Sequence, residues 1–146
     1  METIEKVKTT TTLKTTKEEL VTLINGLFQV QTIKGKEFSL AVSKNIATLK
    51  ETLTNVEEAG TPSEAFMKLA STVNEIANKN EDDAKEKIDE LEKQNQELVD
   101  ARRAQMEEVT ELLKEEVEIE LETLSEDILP EDITAQQING IIKIIN

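Results

Sequence analysis

"ELLKEEVEIELETL", residues 111–124, changes period halfway along. Leu112 and Leu113 close a stretch whose apolar residues recur every three or four positions, the spacing of a helix face. Val117, Ile119 and Leu121 then fall on every second position with glutamates between them, the spacing of a strand with one buried face. A strand needs a partner. The stretch that complements it is "KVKTTTTLK", residues 6–14. There Val7, Thr9, Thr11 and Leu13 share one side, and Lys6, Lys8 and Lys14 share the other with Thr10 and Thr12. Pairing the two sets apolar against apolar and lysine against glutamate, the arrangement that stabilises neighbouring strands. A two-stranded ribbon is marginal alone, so it must pack on the helices around it.

Helices fill the space between. Thr16-Lys17-Glu18-Glu19 reads as a capping box, followed by an apolar face of Leu20, Leu23, Ile24, Leu27 and Phe28. A tight turn at Gly35 leads into a helix over roughly 37–58, with Phe38, Val42, Ile46, Leu49, Leu53 and Val56 along one face. Residues 17–58 therefore form an antiparallel pair, with Gly60 as the expected left-handed cap. Thr61-Pro62-Ser63-Glu64 reads as a second box with Pro62 at the first helical position. Thr134-Ala135-Gln136-Gln137 is a third, opening a terminal helix over 134–145.

From residue 62 helical pattern extends to about 116. Phe66, Leu69, Val73 and Ile76 set a heptad frame, but the next apolar residues, Ile88 and Leu91, come one position late. "NKNEDD", residues 78–83, lies at the slip, where the helix breaks or its buried face rotates; Asn80 would cap a new helix there. From Ile88 the a and d positions run Leu91, Asn95, Leu98, Arg102, Gln105, Val109 and Leu112. With three polar members this frame suits packing within the chain as well as a coiled coil. The expected fold is mainly α with a minor β part: one domain over 1–146, antiparallel helices with one long charged helix, and a small antiparallel sheet joining the N-terminal segment to a strand near 117–122.

Composition narrows the chemistry. The 146 residues include no His, Cys, Trp or Tyr and carry a net charge of −14. Without His or Cys the usual zinc, copper, haem and iron–sulfur ligands are missing, as are disulfides and His-based triads. The reading is therefore of a protein that is not an enzyme and uses no cofactor or metal. Glu107, Glu108, Glu111, Glu115 and Glu116 make a dense acidic run, but no loop wraps a cation as a calcium site requires. Residues 1–70 carry nine acidic and nine basic side chains, so residues 71–146 hold the whole excess. That field repels nucleic acid and anionic membranes. The absence of an apolar leader or a run of roughly 20 apolar residues reads as a chain that neither enters nor spans a membrane.

Two groups of residues stand out as binding candidates. Lys34, Lys36 and Lys44, with Asn45, surround the turn at Gly35, where lysines and free amides could receive an anion. No phosphate-loop pattern accompanies them. Arg102 and Arg103 are the only arginines, and with Met106 they are the residue types most suited to anchoring a protein partner in a chain lacking Trp and Tyr.

"KGKEFSLAVSKNIATLKE" (34–51) and "ELLKEEVEIELETLSEDILPEDITAQQI" (111–138) together resemble small helix-rich proteins of tailed bacteriophages. The resemblance covers about a third of the chain. It implies a phage origin and a helix-rich fold, and it brings no activity or binding residues with it; the expected location is the host cytoplasm or the virion. The resulting expectation is a phage protein acting by protein–protein contact or self-association, in virion assembly or on a host factor. One alternative is an oligomer that sequesters a small nucleotide signal against host defence. Another is an acidic mimic of nucleic acid.

Overall fold

The computed structural model describes residues 10–146, and the chain is mainly α with a small two-stranded antiparallel sheet. Two compact units divide it: one runs to Asn55 and resumes over Leu113–Asn146, the other is Val56–Leu112.

The first unit is built on the complementarity seen in the opening stretch. Strand β1 (Thr10–Thr16) pairs with β2 (Glu116–Glu122), with Leu13 opposite Ile119, Thr11 opposite Leu121, Thr15 opposite Val117 and Lys14 opposite Glu118. Leu13 meets Ile119 and Lys14 meets Glu118 as the alternation requires, while threonines stand opposite the remaining apolar and glutamate positions. Lys6, Val7, Lys8 and Thr9, assigned to the same ribbon, lie outside the described residues. The passage from helix to strand is pinned by Lys17. Its backbone N–H donates to the Glu115 carbonyl at 3.0 Å, and its ammonium reaches the Glu115 carboxylate at 2.8 Å while the alkyl stem is buried.

Helix α1 (Lys17–Val30) buries Leu20, Leu23, Ile24, Leu27 and Val30. Only half of its capping box forms. The Thr16 hydroxyl accepts from the Glu19 N–H at 3.3 Å, but the Glu19 carboxylate accepts from the Thr15 hydroxyl and the Lys143 ammonium instead. Helix α2 (Lys36–Thr52) starts at Gly35, whose φ of 148° suits a residue without a side chain. Its buried face is Phe38, Val42, Asn45 and Leu49.

The expected helix over 37–58 is interrupted at Leu53, and α3 (Thr54–Gly60) follows. Thr48, Thr52 and Thr54 each donate their hydroxyl to the carbonyl four residues back, a competition that bends helices. Gly60 is the last residue of α3 and has no positive φ, which corrects its assignment as a left-handed cap. The second box is displaced too. Ser63, not Thr61, caps α4 (Glu64–Lys79) by accepting from the Phe66 N–H at 3.1 Å, because the Thr61 hydroxyl is spent on the Glu57 carbonyl.

The stretch expected as one long helix is three: α4, α5 (Ala84–Gln94) and α6 (Gln96–Leu113). Asn80 takes the left-handed conformation (φ 53°, ψ 38°) and closes α4; it does not open α5, whose first flanking residue is Asp83. At Asn95 the backbone bends, and its side-chain amide donates to the Leu91 carbonyl at 2.9 Å.

After β2 the chain returns to the first unit's core. The third capping box is complete: Gln137 N–H to the Thr134 hydroxyl at 3.2 Å, and Thr134 N–H to the Gln137 side chain at 2.9 Å. It opens α7 (Ala135–Gly140), six residues long, and a 3₁₀ turn over Ile142–Ile144 replaces the rest of the expected helix. The stop has a cause. Leu124 N–H donates to the Ile144 carbonyl at 2.7 Å, and Asn146 N–H donates to the Leu124 carbonyl at 3.2 Å, so the chain end runs alongside the residues after β2.

Lys143 holds the Glu19 carboxyl below the usual carboxylate range, first by hydrogen bonding and with help from the Thr15 hydroxyl. A depressed carboxylate pKa contributes stability above its unfolded value and loses it as pH falls through the folded one. Lys143→Met should therefore lower stability near neutrality and flatten the fall in stability below about pH 4.5. Urea titrations of both chains at pH 7 and pH 3.5 check this, with the difference expected to shrink at the acid end.

Candidate interaction surface

The first unit has a proper core; the second does not. Phe38, Leu20, Leu27, Val30, Leu49, Leu121, Leu124, Ile141 and Ile144 are each at most 2% exposed. Across Val56–Leu112 the buried apolar side chains are two, Leu69 and Val109, at 8% and 9%. The remaining frame residues Phe66, Val73, Ile76, Ile88, Leu91, Leu98 and Leu112 are half-buried. The heptad frame read from sequence is therefore the least exposed stripe of this unit, yet most of it still meets solvent.

The polar members of that frame are held within the unit. Arg102 donates to the Gly60 carbonyl at 2.8 Å and lies 5.7 Å from the centre of the Phe66 ring. Gln105 donates to the Thr61 carbonyl at 3.1 Å. Together they satisfy carbonyls at the end of α3, where a helix leaves acceptors without partners. Asn95 bonds its own helix, as described. Replacing Arg102 with Met keeps the stem but strands a carbonyl, and should cost about 1–2 kcal/mol in urea unfolding. Faster amide exchange around residues 57–62 would locate the loss.

The two other proposed anchors stand differently. Arg103 is exposed, with a long contact of 3.9 Å to Asp100. Met106 is 44% exposed, and Met67 on α4 is 50% exposed. Arg102 is thus engaged inside the unit, while Arg103 and Met106 face outward. Val99, half-buried beside the frame on α6, widens the stripe on the Met106 side. Sequence reading passed over Val99, although its place next to d position Leu98 was the available signal.

The lysines do not gather. Lys34 and Lys36 are exposed at the turn, whereas Lys44 lines a separate cleft with Thr10, Thr48, Glu120 and Glu122. Asn45, grouped with them from sequence, is 1% exposed and turned to the sheet. Its amide donates to the Glu122 carbonyl at 2.9 Å and its oxygen accepts from the Glu122 N–H at 2.7 Å. It supplies to β2 the donor and acceptor that a third strand would bring. Two open cavities, of about 310 and 420 Å³, flank the crossing of α1 and α7 at Gly26 and Gly140. Glu19 and Lys143 line the first and cancel in charge, and glutamines with Thr134 line the second.

Among the described residues no group of three or more carboxylates converges as a metal site would, and no helix is long and apolar enough to cross a membrane. Comparison with known proteins supplies no relative: no protein-family model matches the chain, and neither a curated protein nor a solved structure is significantly similar.

Proposed function

We propose that the protein works without turnover, by protein–protein contact through the half-exposed seam of α4–α6. One observation carries the reading: a unit of helices whose whole apolar frame is in place buries only Leu69 and Val109 by itself. A row of apolar side chains left only half-buried, with Met67 and Met106 exposed beside it, is a feature of surfaces that acquire a partner. The resemblance of residues 34–51 and 111–138 to tailed-phage proteins supports a phage setting, in virion assembly or on a host factor. No arrangement of Lys34, Lys36 and Lys44 favours the nucleotide-sequestering alternative.

Native mass spectrometry of the chain purified at low salt tests this. The expected mass is the chain with a polypeptide, either a second copy or a foreign one, and bare chain for the double variant Val99→Glu/Met106→Glu. Bare wild-type chain, association unchanged in the variant, or retained mass of a few hundred daltons would each overturn it.

A further inference from the structure

The sheet of the first unit keeps a strand edge open, independently of the seam. In an antiparallel pair the backbone groups of alternate residues turn to opposite edges. Asn45 fixes the phase. It holds both the N–H and the carbonyl of Glu122, so those groups point away from β1. The Glu115 carbonyl, of the other parity, accepts from Lys17 N–H on the inner side, in agreement. Glu120 and Glu118 share the parity of Glu122 and therefore present their N–H and carbonyl groups on the outer edge of β2.

That edge is filled at one end only. Leu124 exchanges hydrogen bonds with the chain end at Ile144 and Asn146, and the Asn45 amide takes the next position. The row then stops. No described residue bonds the backbone of Glu118 or Glu120 from the outer side. Beside Glu120 lies an open cleft of about 480 Å³, walled on the helix side by Lys44, Ala47 and Thr48 of α2.

We propose that the outer edge of β2 over Glu116–Glu120 docks an extended segment of another protein as a third strand, with lysine or arginine at alternate positions. Main-chain hydrogen bonds supply the affinity in strand addition, and side chains supply the selectivity. Charge selects the occupant here. Glu116, Glu118 and Glu120 are exposed on one face, and among the described residues none of them is ion-paired. Opposite the four glutamates of β2, the ribbon sets Thr16, Lys14, Thr12 and Thr10. A basic strand on the outer side brings the cross-strand partners that β1 brings only once. Thr10 lies opposite Glu122, at the closed end of this edge, so the chain's own upstream residues begin beyond the closure. That favours a separate polypeptide.

Fluorescence anisotropy with the full chain tests this, using seven-residue probes in which lysine alternates with valine. Saturable binding is expected, and none for the counterpart with glutamate in place of lysine. Glu118→Gln/Glu120→Gln should weaken binding about three- to tenfold, and added salt should weaken it too. A strand turns only every second amide to its neighbour. Two probe isomers, N-methylated at every lysine or at every valine, should therefore differ about tenfold or more in affinity.

Equal affinity of the isomers would mean that charge alone attracts the peptide, and would overturn the proposal. No binding would overturn it as well, leaving the glutamates as guards that keep foreign strands off the edge. Binding seen only after removal of residues 1–9 would give the edge to the chain's own Lys6-Val7-Lys8 and overturn a foreign occupant. Amide shifts in the labelled chain are expected along β2 and around Ala47 and Thr48. Shifts centred on α4–α6 would place the peptide on the seam and overturn the edge, whereas failure of the seam leaves the edge untouched.

Discussion

Asn45→Ala is expected to lower the unfolding free energy by about 2–4 kcal/mol, a large share of what a domain of this size has. The side chain is buried, and both of its hydrogen bonds end on the backbone of Glu122. Alanine leaves that N–H and carbonyl without partners beside the sheet and opens a small void as well. Asn45→Asp should be no rescue, because a carboxylate can accept from the N–H but cannot donate to the carbonyl. Guanidinium unfolding of the two variants beside wild type measures the loss, and a change under 1 kcal/mol for alanine would deny Asn45 this role.

The second large effect is expected at Gly26. By helix propensity alone, glycine to alanine inside α1 should stabilise by about 1 kcal/mol. Here a Cβ would stand 2.2 Å from the Gly140 carbonyl oxygen and 2.7 Å from its carbon, both backbone atoms. The two helices must separate, with a net loss of about 3 kcal/mol or more. The damage should be local. Amides of residues 135–146 would lose exchange protection, and the contact between Lys143 and Glu19 would go with them. A Gly26→Ala chain with raised thermal stability and intact protection at the C-terminus would refute the account.

Patterns confined to a few residues were readable without coordinates. The pairing of the N-terminal segment with the strand near 117–122 followed from alternation and charge, and the capping box at Thr134 followed from three letters of spacing. The less exposed stripe of α5–α6 was also legible, since it coincides with the heptad frame from Ile88 to Leu112. What escaped reading depends on choices between competing local bonds. Thr61 had two uses for its hydroxyl, and the Glu57 carbonyl won over a helix start. Glu19 had a box to close and gave its carboxylate to a lysine 124 positions away. Threonines at 48, 52 and 54 looked like ordinary helix surface, yet their back-bonding accompanies the break at Leu53. Asn45 sat among lysines in the sequence and pointed elsewhere in space, because helix rotation, not adjacency, decides direction. The shoulder at Val99 was visible in principle but needed the extent of coverage to matter.

Thr10 pairs with Glu122, and Asn45 clamps that same residue from 77 positions away. Every closure of the first unit's sheet therefore encircles the whole of Val56–Leu112. In kinetic terms the hairpin of helices is made of near neighbours and can form early, whereas the ribbon must wait for its distant strand to arrive. The entropy of that wait grows only logarithmically, about 0.6 kcal/mol for each doubling of the loop. An inserted unit can thus lengthen or shorten at little thermodynamic cost to the module that carries it. The ribbon's closure therefore tolerates a change in the length of what the chain inserts between its strands.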